Sequence, residues 1–348
     1  MTTLQKLNVL QTQLEKERKL VSFDSYDLSV RQLLDMIEAG EIFVPPEYQR
    51  QFIWDPERQS VLIESVFLGI PVPSLFMATN SDATWEVVDG VQRLGTLSHF
   101  VASGSLLKKI SRDAPLEIAG LEKLSALNGF SFESLPKSLQ LHFLTRPMRV
   151  TVLNDKSDLS VRFDLFERLN TGGVTLTFQE IRNCVYRGAL NEDIKELSTY
   201  PAFRSSVKVK DSHSKNGTYE EMVLRFFAYL DGYAGFDHSV KEFLNDYMKN
   251  NQKSNIDKKK ADLFRLVFDK INGALPDGIA RTRSTTPANL YEALAVGTAL
   301  AIQKGAKIDA ARFKPLLTDE KLKAFTGAGS NQRKFVIGRI EYVRDKLL

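Results

Sequence analysis

Apolar positions near the start of the chain recur at helical spacing. Leu4, Leu7, Leu10 and Leu14 form one stripe, interleaved with Lys6, Glu15, Lys16, Glu17 and Arg18, and predict a polar amphipathic helix over residues 1–20. A second helix is expected from Ser29, with Gln32 as its capping-box partner and Gly40 just past its end. Pro45 and Pro46 hold the next segment extended or looped. A third helix has full punctuation: Asp55 caps it, Pro56 takes its first position, Leu62, Ile63, Val66 and Phe67 face inward, and Gly69 ends it.

Alternating patterns then predict strands at 74–78 and 85–88, and the second runs through Asp89-Gly90 into a helix over 91–101. Residues 114–145 read as an insertion of short strands and helical turns, anchored by Phe130, Phe132, Leu135 and Leu139. A strand at 149–153 and a helix at 158–170 follow, and Gly172-Gly173 break that helix. Thr177 and Glu180 form another capping box, for a helix ending near Gly188. Beyond 190 the pattern is helical almost throughout. Thr218/Glu221, Thr286-Pro287 and Ser330 mark helix starts, and residues 249–260 read as a polar, basic connection. The expected organisation is α+β. An N-terminal helix (1–22) precedes an α/β domain (23–190) and an all-helical domain (191–348).

At 348 residues, with 43% hydrophobic and 26% charged positions, the chain has the composition of a globular protein of about two domains. No apolar run reaches membrane-spanning length and no secretory signal is visible, so a cytoplasmic location is expected. The lone Cys184 rules out an internal disulfide, and His99, His142, His213 and His238 lack zinc-site spacing. Charge is uneven. Residues 1–190 carry 20 Lys+Arg against 23 Asp+Glu, a net −3, whereas 191–348 carry 27 against 20, a net +7. The basic half permits contact with nucleic acid.

Three segments are candidates for chemistry. In WEVVDGVQRLGTL (85–97), a strand delivers Asp89 and Gly90 to the N-terminus of a helix that opens with Gln92 and Arg93. Unpaired N–H groups and a partial positive charge suit an anion there, and Gly90 permits close approach. Asp89 could hold a metal ion or orient a water. Equally, Asp89 could simply cap the helix while Arg93 forms a salt bridge. In VPPEYQRQFIW (44–54), Gln49 and Arg50 lie among Tyr48, Phe52 and Trp54, a mixture suited to phosphate and a stacked base, or to anchoring the next helix. In FERLNTGGVTLTFQEIRN (166–183), Asn170, Thr171 and Gly172 form a polar loop able to act as an anion nest or as a simple helix C-cap.

Taken in order, YQR-x3-W-x7-LIES-x3-G-x-P-x-P, then VVDG-x-QRL-x-TL, then F-x-RLNTGG-x2-L-x3-EIR resemble the DGQQR-motif family. This family includes the N-terminal domain of GmrSD-type modification-dependent restriction enzymes and is placed in the ParB/sulfiredoxin-like fold group. The resemblance covers residues 23–190 and extends more weakly to TYEEMVLRFF (218–227). It implies binding and hydrolysis of an NTP, with Mg²⁺ as a possible companion, in bacterial defence against foreign DNA. A separate nuclease chain is implied as partner, because no HNH motif is present here. By motif, Asp89, Gln92 and Arg93 would be catalytic; Gln49, Arg50, Gly90, Asn170, Thr171 and Gly172 would bind the nucleotide. One signature glutamine is replaced by Val91, which weakens the case for hydrolysis more than for binding. The competing readings are a non-enzymatic DNA-binding protein that uses the same phosphate site, and a ParB-like nuclease.

Overall fold

The computed structural model describes residues 3–18, 22–44, 54–80, 82–101, 107, 110, 112–154, 158–169, 176–211, 214, 216–281, 285–327 and 329–348. It is a mixed α+β structure whose chain divides into two compact units, 1–175 and 176–348. The division falls before the expected boundary at 190. The helix α7 (Phe178–Val185) belongs to the second unit because its long polar side chains, Gln179, Arg182 and Asn183, are buried in that unit's own core.

The first unit is built on a five-stranded sheet of order β1-β5-β3-β4-β2, made of β1 (Phe23–Ser29), β2 (Ile42–Phe43), β3 (Leu75–Thr79), β4 (Trp85–Asp89) and β5 (Pro147–Leu153). β3 and β4 form an antiparallel hairpin, β1 pairs antiparallel with β5, and β5 runs parallel to β3. The helix α1 (Thr3–Arg18) forms as expected, but Leu7, Leu10 and Leu14 of the predicted stripe are exposed. The capping box of Ser29 and Gln32 starts α2 (Val30–Ala39), and Gly40 closes it in the left-handed conformation. Asp55 caps α3 (Pro56–Leu68) by accepting from the Arg58 N–H, and Gly69 ends it. α4 (Val91–Val101) and α5 (Lys137–Leu144) complete the apolar layer.

Where these helices meet, Phe67, Phe100, Phe132 and Phe143 interlock, with Phe67–Phe143 and Phe100–Phe143 centroids 5.0 and 5.2 Å apart. Each ring buried there contributes roughly 1.5–3 kcal/mol. The 114–145 region holds short 3₁₀ turns and α5 and, among its residues, no strand. Phe132 and Leu135 anchor it, while Phe130 and Leu139 are exposed. α6 (Leu159–Leu169) follows β5 and packs on β4.

The second unit is helical in every described element: α7, α8 (Ala189–Leu197), α9 (Pro201–Ser206), α10 (Thr218–Gly232), α11 (Val240–Asn251), α12 (Lys258–Ala274), α13 (Ala288–Gln303), α14 (Phe313–Thr318), α15 (Glu320–Thr326) and α16 (Arg333–Leu347). Two expected starts differ. α10 is capped at Gly217 rather than by a Thr218/Glu221 box, because Glu221 is committed to arginines. Ser330 bonds to the Gly327 carbonyl, and the last helix begins at Arg333. The basic connection expected at 249–260 narrows to 252–257: α11 runs on to Asn251, and Lys258–Lys260 form the first turn of α12 behind Asp257.

Through the second unit's core runs a line of charges. Arg182 donates to Glu221 at 2.6 Å; Arg225 bridges Glu221 and Glu292 at 2.8 and 2.6 Å; Glu292 in turn accepts from Arg339. Glu292 and Arg339 are fully buried. Burial pulls the Arg182 guanidinium down to about 10, opposed by Glu221.

Candidate functional site

The site begins where β4 ends. Asp89 is the last strand residue, opposite Phe76 at an irregularity in the β3–β4 ladder. Gly90 then turns the chain with φ +102°, and its carbonyl accepts the Leu94 N–H to open α4. Only glycine fits, since a Cβ here would lie 2.4 Å from the Leu75 side chain and the positive φ would strain any other residue. The N–H groups of the first helical turn, having no acceptor within the helix, give this corner its positive polarity.

Arg93 folds back from the first turn. Its Nη1 donates to the carbonyls of Pro73 and Ser74 at 2.7 and 3.1 Å, and its Nη2 donates to Asp89 Oδ2 at 2.5 Å. The side chain is 12% exposed against 35% for Asp89. Arg93 therefore straps the 73–74 loop to the turn and pairs with Asp89, as the salt-bridge alternative expected. Asp89 Oδ1 has no hydrogen-bond partner among the described residues. Val91 is buried at 9% exposure, so its side chain packs inward and does not present itself to a ligand.

Gln92 connects this turn to the first motif. Its Oε1 accepts the Trp54 backbone N–H at 3.2 Å, while its carbonyl accepts from Thr96 Oγ1. β2 pairs parallel to β4, Phe43 opposite Glu86, so the chain leaves Val44 heading toward the same end of the sheet. Trp54 thus brings the end of the first motif to the Asp89–Arg93 turn. Gln49 and Arg50 themselves lie outside the described residues. So do Asn170, Thr171 and Gly172.

Behind Trp54 lies a polar relay that the sequence did not reveal. Gln59 Nε2 donates to the Trp54 carbonyl at 2.7 Å, and its Oε1 faces His99 Nδ1 at 2.8 Å. His99 Nε2 meets the Ala114 carbonyl at 3.0 Å. Both ring nitrogens face oxygens, so a neutral ring supplies a proton to one contact only. Burial nevertheless lowers the pKa of His99, with Arg112 pushing the same way and the Ala114 carbonyl opposing. The Arg58 guanidinium stacks 4.6 Å from the Trp54 ring and fixes the indole at the site's edge.

Arg182 is the motif residue with no evident task in the sequence, and its task is structural. It is buried in the ion network, where it links the EIR segment to Glu221 of TYEEMVLRFF. No helix of the described residues is long and apolar enough to cross a membrane.

Comparison with curated proteins gives no match. Residues 30–187 match the family described as GmrSD restriction endonuclease, N-terminal domain. The match spans α2 through α7 and includes the Gly90 turn, both described flanks of the first motif and the capping box of Thr177 and Glu180. Residues 30–187 of this chain are therefore similar to the N-terminal domain of GmrSD restriction endonucleases.

Proposed function

We propose that the first unit is the NTP-binding and NTP-hydrolysing sensor of a restriction-like defence system, acting in the cytoplasm beside a nuclease carried on another chain. A ParB/sulfiredoxin-like arrangement is part of this reading. The observation that carries it is the hydrogen bond from the Trp54 N–H to Gln92, which ties the first motif to a glycine turn at a helix N-terminus. The helix N–H groups would take the phosphate oxygens together with Arg50, while Gln49 and the Asn170–Gly172 loop contribute polar contacts.

Arg93 has a double role in this mechanism. It holds Asp89 in place, and a phosphate oxygen arriving at the turn competes with Asp89 for Nη2. Exchange of that partner would release the carboxylate to orient water, and Gln92 would communicate the change to Trp54. Charge developing on the transferred phosphoryl group would be met by arginine and helix dipole. Asp89, through Oδ1, would hold a Mg²⁺ ion, which would supply positive charge to the phosphate oxygens.

The net +7 of residues 191–348 favours a second contact, with DNA. Lys258 and Lys259 stand exposed on the first turn of α12, where positive charge opposes the helix dipole. Lys260 pairs with Asp231, and Arg281 bonds to the Leu317 carbonyl and Thr326, so neither is offered to a ligand.

The test is thermal shift with each of the four NTPs, with and without Mg²⁺. A ligand at 100 times its Kd stabilises by about 2.7 kcal/mol, which gives a plain rise in Tm. No shift with any of the four removes the nucleotide from this account.

A further inference from the structure

The Gly69–Ser74 loop has two sides. Arg93 grips Pro73 and Ser74 from one; on the other lies a cleft of about 350 Å³ between this loop and the start of β5. Its floor is Arg146. Nη2 of this guanidinium is spent on the Phe67 carbonyl at 2.9 Å and on His142 Nε2 at 2.9 Å, which fixes its orientation. Nη1 lies across Gly69, close enough that a Cβ there would sit 3.4 Å away, and has no hydrogen-bond partner among the described residues. Arg149 at the mouth is already neutralised by Asp27 through two bonds of 2.8 Å. The cleft therefore carries one uncompensated positive charge. Val66, Ile70, Pro71 and Val72 give it one apolar wall, and Ile70 is 45% exposed beside it.

We infer that this cleft binds a phosphodiester of the nucleic-acid backbone, with Arg146 Nη1 donating to the phosphate and the Ile70 wall against the neighbouring sugar. The charge count selects this ligand. A phosphodiester carries a single negative charge and is flanked by carbon-rich groups, which matches one free guanidinium edge beside an apolar wall. A triphosphate carries several charges and has no matching set of cations here. The choice of DNA as its source rests on the restriction-system reading; the cleft itself is separate from the Asp89–Arg93 turn. Because both share the loop, a backbone seated in the cleft would press on the carbonyls that hold Arg93.

The experiment compares the full chain with Ile70→Glu and Arg146→Met, using fluorescence anisotropy with a labelled DNA duplex at several salt concentrations and thermal shift with NTPs. Ile70→Glu places a negative charge on an exposed wall without removing any packing bond, and it is expected to weaken DNA binding at least tenfold. Arg146→Met is expected to do the same and to flatten the slope of log K against log salt by about 0.9, the share of one phosphate contact. Both variants should keep the wild-type NTP shift. A folded Ile70→Glu that binds DNA like wild type overturns the inference, as does a wild type that binds no DNA. Loss of the NTP shift in Ile70→Glu with DNA binding kept would assign the cleft to a free nucleotide and overturn it too. Failure of the nucleotide reading is distinct, since it appears as a wild type that no NTP stabilises.

Discussion

The backbone N–H of Trp54 donates to Oε1 of Gln92 at 3.2 Å, joining two motifs that lie 38 residues apart in the chain. Trp54 also passes its carbonyl to Gln59, and Gln59 to His99, so the turn at Gly90 is wired into the buried layer behind it. A ligand that displaced Gln92 would be felt at His99. Replacing Gln92 with Ala removes one bond of modest net value, about 0.5–1.5 kcal/mol, and should lower apo stability only slightly. The NTP-induced Tm shift should fall by more than the apo Tm does. Equal losses in both would make Gln92 a structural residue alone.

Gly90 is the least replaceable residue of the turn. Gly90→Ala meets both a positive φ and a contact of 2.4 Å with Leu75. Backbone strain of this kind costs of order 1–3 kcal/mol, and the clash adds to it. Urea unfolding should show a loss of at least about 2 kcal/mol; a midpoint within error of wild type would mean the turn relaxes freely.

Val91→Gln restores the residue that the family signature carries. The position is buried, so the amide stem exchanges apolar packing for a polar group and Tm should drop, by the equivalent of about 1–3 kcal/mol. NTP turnover is expected to rise more than NTP affinity, because an oriented water matters chiefly in the transition state. Turnover unchanged in a folded variant would show that Val91 is no impediment.

Local signals explain what the sequence made legible. Ser29 with Gln32, Asp55 with Pro56, and Thr177 with Glu180 are caps whose chemistry spans only a few residues, and all three form as read. β1 was not legible: FDSYDLS is polar, with Phe23 and Tyr26 exposed, and only pairing with β5 makes it a strand. The lysines at 258–260 mimic a linker because Asp257, not an apolar pattern, starts their helix. The Gly90 corner could be read from its residue types, but the direction of Arg93 could not. Its carbonyl partners at Pro73 and Ser74 lie about twenty residues upstream, in the loop that leads into β3, which becomes its neighbour only after the hairpin forms.

The ion network makes the helical unit sensitive to single charges. Glu292→Gln leaves Arg225 and Arg339 buried with one partner weakened, and breaking such pairs typically costs 3–5 kcal/mol. Equilibrium urea unfolding of the variant should show a loss of about that size. A loss below about 1 kcal/mol would mean that water reaches the network and replaces the carboxylate.

His99 should give the first unit a mildly acid-sensitive stability. Its folded pKa lies below the unfolded 6.5, because burial and Arg112 disfavour the charged ring. The unfolded chain then takes up the proton first, so this contribution is complete above pH 6.5 and is lost as pH falls from there toward the folded value. Urea midpoints at pH 7.5 and 5.5 should differ more for wild type than for His99→Gln. Equal differences would exclude His99 as the source.

The most direct measurement is calorimetric titration of the NTP that gives the largest thermal shift into wild type and into Arg93→Ala. The account predicts one site per chain in wild type and an affinity at least tenfold lower in a folded Arg93→Ala, the scale of one lost charge-assisted bond. No binding by wild type, or equal affinity in the two proteins, would contradict the assignment of the Asp89–Arg93 turn as the nucleotide site.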